Sequence, residues 1–353
     1  MTNLSASLIV RDEERFLATC IESLRGHVDE VVVVDTGSTD STVEIAETAG
    51  ARVLRFDWTG SFSDARNHSL GACRGNWVLY IDADECLFMP PGVALGKEID
   101  RPRWAAAMVK FRPKTGYTRY WEHRLFRRDP EIMFEGKIHE THVHSVSAYA
   151  ARRGLEIGRA DVLINHFGYD GDQSRKHPRN LPLLLDSIAV NPERPYFWYH
   201  LAETYAALGR SGEALQAGLS GLTVAGGSAS DKEAADVNLL AQVVARLQIY
   251  SGIDPSPVID PALRRFPGDY AMMFLKARWL VAHGRPKEAV ALLDHLLSID
   301  PTMLPPALMA FDEQIFGVFA RELKAAALVK LGDIAGAATL IRQPAEVSSR
   351  RIP

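Results

Sequence analysis

The chain has 353 residues, a formal net charge of −4, 47% hydrophobic and 24% charged residues. That length predicts two or three domains with a large apolar core, and the charge balance excludes the basic footprint of a nucleic-acid binder. Cys20, Cys73 and Cys86 are odd in number and scattered, so no disulfide framework is expected and a reduced, cytoplasmic compartment fits.

The start, MTNLSASLIV, lacks a basic region ahead of a long apolar one, so it does not read as a signal peptide. No apolar run approaches the ~20 residues of a membrane-spanning helix. Ala6 to Val10 reads as a first strand, after which Arg11-Asp12-Glu13-Glu14 is expected to open a helix, its acidic residues suiting the positive end of the dipole. Phe16, Leu17, Cys20, Ile21 and Leu24 then fall on one helical face, ended by Gly26. Val31 to Val34 is a β-branched run, the mark of a strand covered on both faces. It stops at Asp35-Thr36-Gly37-Ser38-Thr39-Asp40, where Ser38, Thr39 or Asp40 is expected to cap a helix over 42–49, with Glu44 completing a capping box. Gly50 stops that helix and Arg52 to Phe56 is a third strand, giving β-α-β-α-β, the opening of a doubly wound sheet.

Phe62-Ser63-Asp64-Ala65-Arg66-Asn67 begins the next helix, with Ser63 as expected N-cap. Arg66 sits near the helix N-terminus, where a cation is unfavourable, so an anionic partner is expected: a phosphate, a carboxylate or a plain surface ion pair. Trp77 to Ile81 is a short buried strand that ends abruptly in Asp82-Ala83-Asp84-Glu85. Carboxylates massed at the C-terminal end of a core strand must be solvated, paired or on a metal. In an open α/β sheet that end is where ligands bind, and hard oxygen donors suit Mg²⁺ or Mn²⁺. The simpler alternative is that Asp82 and Asp84 open a turn.

EVVVVDTGSTDST, SDARNHSL and GNWVLYIDADE, in this order after an IVRDEE start, resemble the nucleotide-sugar-binding half of family-2 glycosyltransferases with the GT-A fold. The closer similarity is to the bacterial subgroup of lipopolysaccharide-core and peptide glycosyltransferases with tetratricopeptide-type C-terminal helices. The match covers roughly residues 4–170. The resemblance implies that Asp35 accepts a hydrogen bond from the nucleotide base, that Glu13 and the backbone near Val10 frame base or ribose, and that Arg66 neutralises the diphosphate. Asp82 would approach ribose or metal, and Asp84 would bind the metal bridging the phosphates. Asp12 stands where the family's opening motif usually has Asn.

Pro90 to Arg103 reads as loop, Trp104 to Phe111 as a strand and Glu122 to Arg128 as another; the basic cluster Arg124, Arg127, Arg128 reads as a solvated face. The stretch from Phe134 to Thr141 resembles the acceptor-side segment. An inverting transfer needs a base there; Glu140 is the first candidate and Glu135 the second, with His139 orienting either. Alternatively Glu140 pairs with Arg124 or Arg127. His142 and His144 alternate as on a strand, but without cysteine partners or HExxH spacing zinc catalysis is not expected. His166 is similar to the C-terminal histidine that adds a ligand to the metal of GT-A enzymes; a core histidine is the alternative.

Asp170 to Pro178 is a polar linker and 180–190 a connecting helix. From Pro195 strands disappear and tetratricopeptide-like patterns take over. Trp198, Leu201, Ala202, Tyr205, Gly209 and Ala214 form one copy and Ala277, Leu280, Gly284, Ala289 and Pro301 another, with weaker copies around Gly252 and Gly332, the latter with Ala337. Their spacing is irregular, with insertions such as Thr302 to Phe311. Such pairs stack into a solenoid, a surface for acceptor recognition or homodimerisation, or a mere buttress. The tail from Ala345 is polar.

The expectation is thus a GT-A α/β domain over 1–170, a connecting helix over 171–192 and helical repeats over 193–347. The expected activity is metal-dependent, inverting transfer from a nucleotide diphosphate sugar, UDP-sugars foremost, to a saccharide or peptide acceptor. A nucleotidyltransferase is disfavoured because Arg11-Asp12-Glu13-Glu14 lacks a Gly-rich, basic signature. A repeat scaffold with a vestigial α/β domain is disfavoured because Asp82, Asp84 and Arg66 are present.

Overall fold

The computed structural model describes residues 3–168, 176–226, 234–307 and 309–342. The chain divides into two compact units, one of Met1–Thr115, Arg119–Ser187 and Pro306–Ala310, the other of Gly116–Thr118, Ile188–Pro305 and Phe311–Pro353.

The first unit is built on an eight-stranded mixed sheet. Its strands are β1 Leu4–Val10, β2 Glu30–Asp35, β3 Arg52–Arg55, β4 Trp77–Tyr80, β5 Glu85–Phe88, β6 Trp104–Arg112, β7 Tyr120–Arg127 and β8 Glu156–His166. Their order is β3-β2-β1-β4-β7-β6-β8-β5. The valine run lies in β2, parallel to β1 and β3, with Val32, Val33 and Val34 buried. β4 pairs parallel with β1, so β1, β2 and β4 all end at one edge. β7 runs antiparallel to β4. β8 pairs antiparallel with β5, and that register sets Glu85 opposite His166. This pairing brings the end of β8 beside the acidic turn.

Among the described residues six α-helices accompany the sheet: α1 Leu17–Leu24, α2 Thr42–Thr48, α3 Phe62–Ala72, α4 Leu95–Ile99, α5 Val143–Arg153 and α6 Lys176–Val190. α1 buries Leu17, Cys20, Ile21 and Leu24, the face expected. Several local expectations are corrected. Residues 11–14 do not open α1. Asp12 has φ 55, and the N–H groups of Asp12, Glu13 and Glu14 donate to Ser38, Thr42 and Asp40, so the segment is a loop tied to the next βα turn. The N-cap of α2 is Ser41 and makes no side-chain capping bond; Asp40 instead accepts from the Thr42 N–H. Ser61, not Ser63, caps α3, accepting from Asp64 N–H. α4 interrupts the expected loop over 90–103. His142 and His144 are not on a strand: His142 is the N-cap of α5 and lies buried while His144 is exposed, because a helix turns neighbours apart where a strand would align them.

Among the described residues the second unit is built of helices, with one isolated bridge between Tyr117 and Asp312. After the end of α6 come α7 Pro195–Ala207, α8 Ser211–Ala225, α9 Ala234–Tyr250, α10 Ser256–Arg265, α11 Tyr270–Ala282, α12 Pro286–Leu297, α13 Val318–Lys330 and α14 Ile334–Arg342. The repeat glycines Gly209, Gly252, Gly284 and Gly332 all take left-handed φ between 70 and 85 at the turns. The small residues Ala202, Ala214, Ala277, Ala289 and Ala337 are buried between helices. Thr118 and Phe311 exchange hydrogen bonds within this unit. Of the polar linker, residues 170–175 lie outside the described residues and Lys176–Pro178 open α6; the tail from Ala345 also lies outside them. Among the described residues no helix is long and apolar enough to cross a membrane.

Candidate active site

The acidic turn after β4 is held in shape by its own groups. Asp82 N–H donates to Glu85 Oε2 at 2.8 Å, and Glu85 N–H donates to the Asp82 carbonyl at 3.1 Å. Glu85 is not a site ligand. It is 1% exposed and forms a two-pronged ion pair with Arg124, at 2.8 and 2.9 Å. Burial pushes the Glu85 carboxyl up despite Arg124 alongside. Arg124 corrects the expectation of a solvated basic face. It is buried, its guanidinium 4.4 Å from the Tyr80 ring centre and 4.7 Å from that of Phe111. Arg127 and Arg128 donate to backbone carbonyls. A cation inside an apolar strand pattern, set against an excess of carboxylates nearby in space, is the signal that marks Arg124.

The remaining acids divide into two groups. In the first, Arg66 joins Asp82 to Glu140: Nη2 donates to Asp82 Oδ1 at 2.7 Å and Nε to Glu140 Oε1 at 2.6 Å. The anionic partners expected of Arg66 are therefore carboxylates, and Glu140 pairs with Arg66 rather than with Arg124 or Arg127. Burial alone would raise the Asp82 carboxyl, but Arg66, with Arg124 behind it, holds it down at about 2. In the second group, Asp84 Oδ2 lies 3.3 Å from His166 Nε2, both side chains largely buried. Burial opposes a charge on His166, yet the bond to Asp84 and the charges of Asp84, Glu85 and Asp82 raise its pKa above the usual 6.5. Glu13 faces this pair. Its carboxyl is pushed up to about 7 by burial, then by Asp84, against Lys176, with Asp82 and Asp40 adding. Arg179, exposed at the surface, has its pKa lowered by desolvation and by the neighbouring Arg11, while Glu13 opposes. Arg11, Lys176 and Arg179 thus set cations around Glu13, and none of the three was anticipated.

The other candidates are placed differently. Asp35 is buried at the end of β2, its carboxylate accepting from the N–H groups of Gly37 and Ser38 in its own turn. Val10 is its register partner on β1, and its carbonyl accepts from Thr36. Glu135 is exposed and exchanges two backbone bonds with Thr141, closing the loop that carries Glu140.

Among the described residues no group of three or more His, Cys, Asp and Glu side chains is gathered to enclose a metal ion. Asp84 and His166 nevertheless suit an open site. Two ligands at right angles on an octahedral ion with bonds of about 2.1 Å are about 3.0 Å apart, close to the 3.3 Å found. Magnesium-type sites keep their other positions for water and substrate phosphates. A further feature shapes the pair: a Cβ on Gly168 would fall 1.7 Å from Asp84 Oδ2, so only glycine leaves room for this carboxylate.

Residues 5–156 match the family model described as glycosyl transferase family 2, and residues 173–229 and 257–303 match tetratricopeptide repeats. Over residues 5–156 the N-terminal domain is similar to glycosyl transferase family 2. A TPR repeat-containing protein of Synechococcus elongatus is 37% identical over 204 residues, 56% of this chain and 50% of its own. An uncharacterised glycosyltransferase of Rickettsia typhi is 42% identical over 85 residues, 24% of this chain and 29% of its own. The chain therefore spans about half, or less, of the length of these relatives. A glucosyl-3-phosphoglycerate synthase from Mycobacterium tuberculosis, solved with phosphoglyceric acid, aligns over 53% of this chain and 79% of its own, with 19% identity and a TM-score of 0.40. The family-2 match ends within β8, so Asp84, Asp82, Arg66 and Glu140 fall inside the matched residues and His166 and Gly168 beyond them.

Proposed function

We propose that this protein transfers a glycosyl group from a nucleotide diphosphate sugar, UDP-sugars foremost, to a saccharide or peptide acceptor, with inversion. The observation that carries the reading is the Asp84–His166 pair at 3.3 Å, at the C-terminal edge of the parallel strands of a domain similar to family 2. Asp84 and His166 would hold Mn²⁺ or Mg²⁺, which when bound supplies Lewis-acid stabilisation of the diphosphate leaving group. Arg11, Lys176 and Arg179 lie near Glu13 and would add positive charge for the diphosphate. Asp35, Val10 and Glu13, at the adjoining strand ends, would frame the nucleoside.

Glu140 is the proposed base. Arg66 donates to its Oε1 and fixes its direction. In the transfer, the acceptor hydroxyl gives its proton to Glu140 as its oxygen bonds to the anomeric carbon, and the bond from that carbon to the diphosphate breaks, its electron pair leaving with the phosphate oxygen. Glu135, on the outside of the same loop, is the weaker candidate. The repeats would recognise the acceptor or a second copy of the chain.

A hydrolysis screen of nucleotide sugars with Mn²⁺ and Mg²⁺, followed by mass spectrometry of candidate acceptors, tests this. Metal-dependent release of a nucleoside diphosphate from one class of donor, lost in Asp84→Ala, is the expected outcome. No turnover and no binding of any nucleotide diphosphate would favour a repeat scaffold instead.

A further inference from the structure

The loop from Met133 to Thr141 carries Glu140 but has little regular structure of its own: its ends meet only through the Glu135–Thr141 backbone pair, and Gly136 and His139 take left-handed φ of 100 and 50. Its position is set by side chains that imitate a neighbouring strand. Asn67 donates from Nδ2 to the Phe134 carbonyl at 2.9 Å and accepts the Phe134 N–H on Oδ1 at 2.8 Å. One amide thus satisfies both backbone groups of one residue, which a carboxylate, having no donor, cannot do. Ser145 does the same for Met133, accepting its N–H at 3.1 Å and donating to its carbonyl at 2.8 Å. The Phe62 N–H, at the start of α3, donates to the Lys137 carbonyl at 2.8 Å. Arg66 completes the attachment through Glu140 while its other nitrogen holds Asp82. α3 therefore grips the loop at Phe134, Lys137 and Glu140, and the same helix grips the acidic turn.

We propose that Asn67 is a positioning residue: it fixes the loop so that Glu140 stands at a set distance from the Asp82–Asp84 turn. This rests on the proposed glycosyl transfer, in which Glu140 is the base. A displacement of about 1 Å in such a group lowers turnover by up to about 100-fold. The hydrogen bonds of the Asn67 amide go to the Phe134 backbone and not to Asp84 or His166, so donor binding should be untouched.

The test uses the full chain with Asn67→Ala and Asn67→Asp. The first readout is hydrolysis of the UDP-sugar found in the donor screen, with Mn²⁺. The second is the rate of trypsin cleavage after the exposed Lys137. Asn67→Ala should lower kcat tenfold or more with the donor KM unchanged, and should speed cleavage at Lys137. Asn67→Asp, which keeps an acceptor for the Phe134 N–H but loses the donor, should show the same pattern more weakly, and it is the variant to read if the alanine form does not fold. Unchanged kcat in both variants, or a rise in donor KM with kcat intact, overturns the proposal. If the native protein hydrolyses no nucleotide sugar, the glycosyl-transfer reading fails by itself, and cleavage at Lys137 alone decides whether Asn67 holds the loop.

Discussion

Gly168 offers a perturbation of the metal pair that leaves every charged group in place. A Cβ added there would lie 1.7 Å from Asp84 Oδ2, 2.6 Å from Cγ and 3.0 Å from Cβ. An ordinary carbon–oxygen contact is about 3.4 Å or more, so in Gly168→Ala the oxygen must retreat by about 1.7 Å. The close approach to Cγ means that turning the carboxylate about its own Cβ–Cγ bond is not enough; rotation about the Asp84 Cα–Cβ bond is required, which swings the carboxylate off His166. Disturbing even the outer partners of metal ligands costs about 10–100-fold in affinity, so displacing a ligand itself should lower the affinity for metal and diphosphate about 100-fold or more. The assay is thermal unfolding with UDP and Mn²⁺ at about 100 times the native dissociation constant, where binding stabilises the native protein by ~2.7 kcal/mol. A 100-fold weaker site leaves about 0.4 kcal/mol under the same conditions. Gly168 lies beyond the end of β8, so the unliganded protein should unfold close to the native temperature. A Gly168→Ala protein that kept the full metal-dependent stabilisation would refute the assignment of Asp84 Oδ2 as a metal ligand.

Three further outcomes follow from other parts of the fold. Arg124→Met strands Glu85 as an unpaired buried charge and should cost about 3–5 kcal/mol in urea unfolding, while adding Glu85→Met should recover most of the loss; equal stability of the single and double variants would contradict the buried pair. Glu13 binds its proton more tightly folded than unfolded, its carboxyl being raised from 4.5 to about 7, first by burial. Its contribution to stability is therefore full below pH 4.5 and lost as pH rises through about 7, so the unliganded protein should lose stability between about pH 5 and 8, and Glu13→Gln should flatten that slope in a series of melting temperatures. In the repeats, a Cβ on Gly221 would meet Trp198 Cβ at 2.4 Å and Leu240 Cδ2 at 2.7 Å. Gly221→Ala should be destabilised by ~1–3 kcal/mol through overpacking although alanine favours helix by ~1 kcal/mol, and a stabilised variant would show that α8 does not approach its neighbours so closely.

The features legible in the sequence are those encoded by short-range pattern. The valine run named β2, the apolar run ending at Ile81 placed the acidic turn at the tip of a core strand, and the repeat glycines announced their turns, each with left-handed φ. What could not be read depends on partners far apart in the chain. Arg124 pairs with Glu85 across 39 positions and Arg66 with Glu140 across 74, and no local periodicity reports either. β5 and its pairing with β8 were missed for the same reason: four residues after an acidic turn carry little signal, yet their register is what sets His166 beside the turn. The acidic start at Arg11–Glu14 misled because its charges look like a helix N-terminus, whereas its backbone donors are taken up by Ser38, Asp40 and Thr42 from a loop 26–29 positions away.

Calorimetric titration of UDP into the native protein and into Asp84→Ala, each with and without Mn²⁺, addresses the metal-bridged diphosphate most directly. Tight binding by the native protein only when Mn²⁺ is present, and weak, metal-indifferent binding by Asp84→Ala, is the outcome expected. Equal affinity of the two proteins in Mn²⁺, or binding by the native protein that ignores the metal, would contradict it.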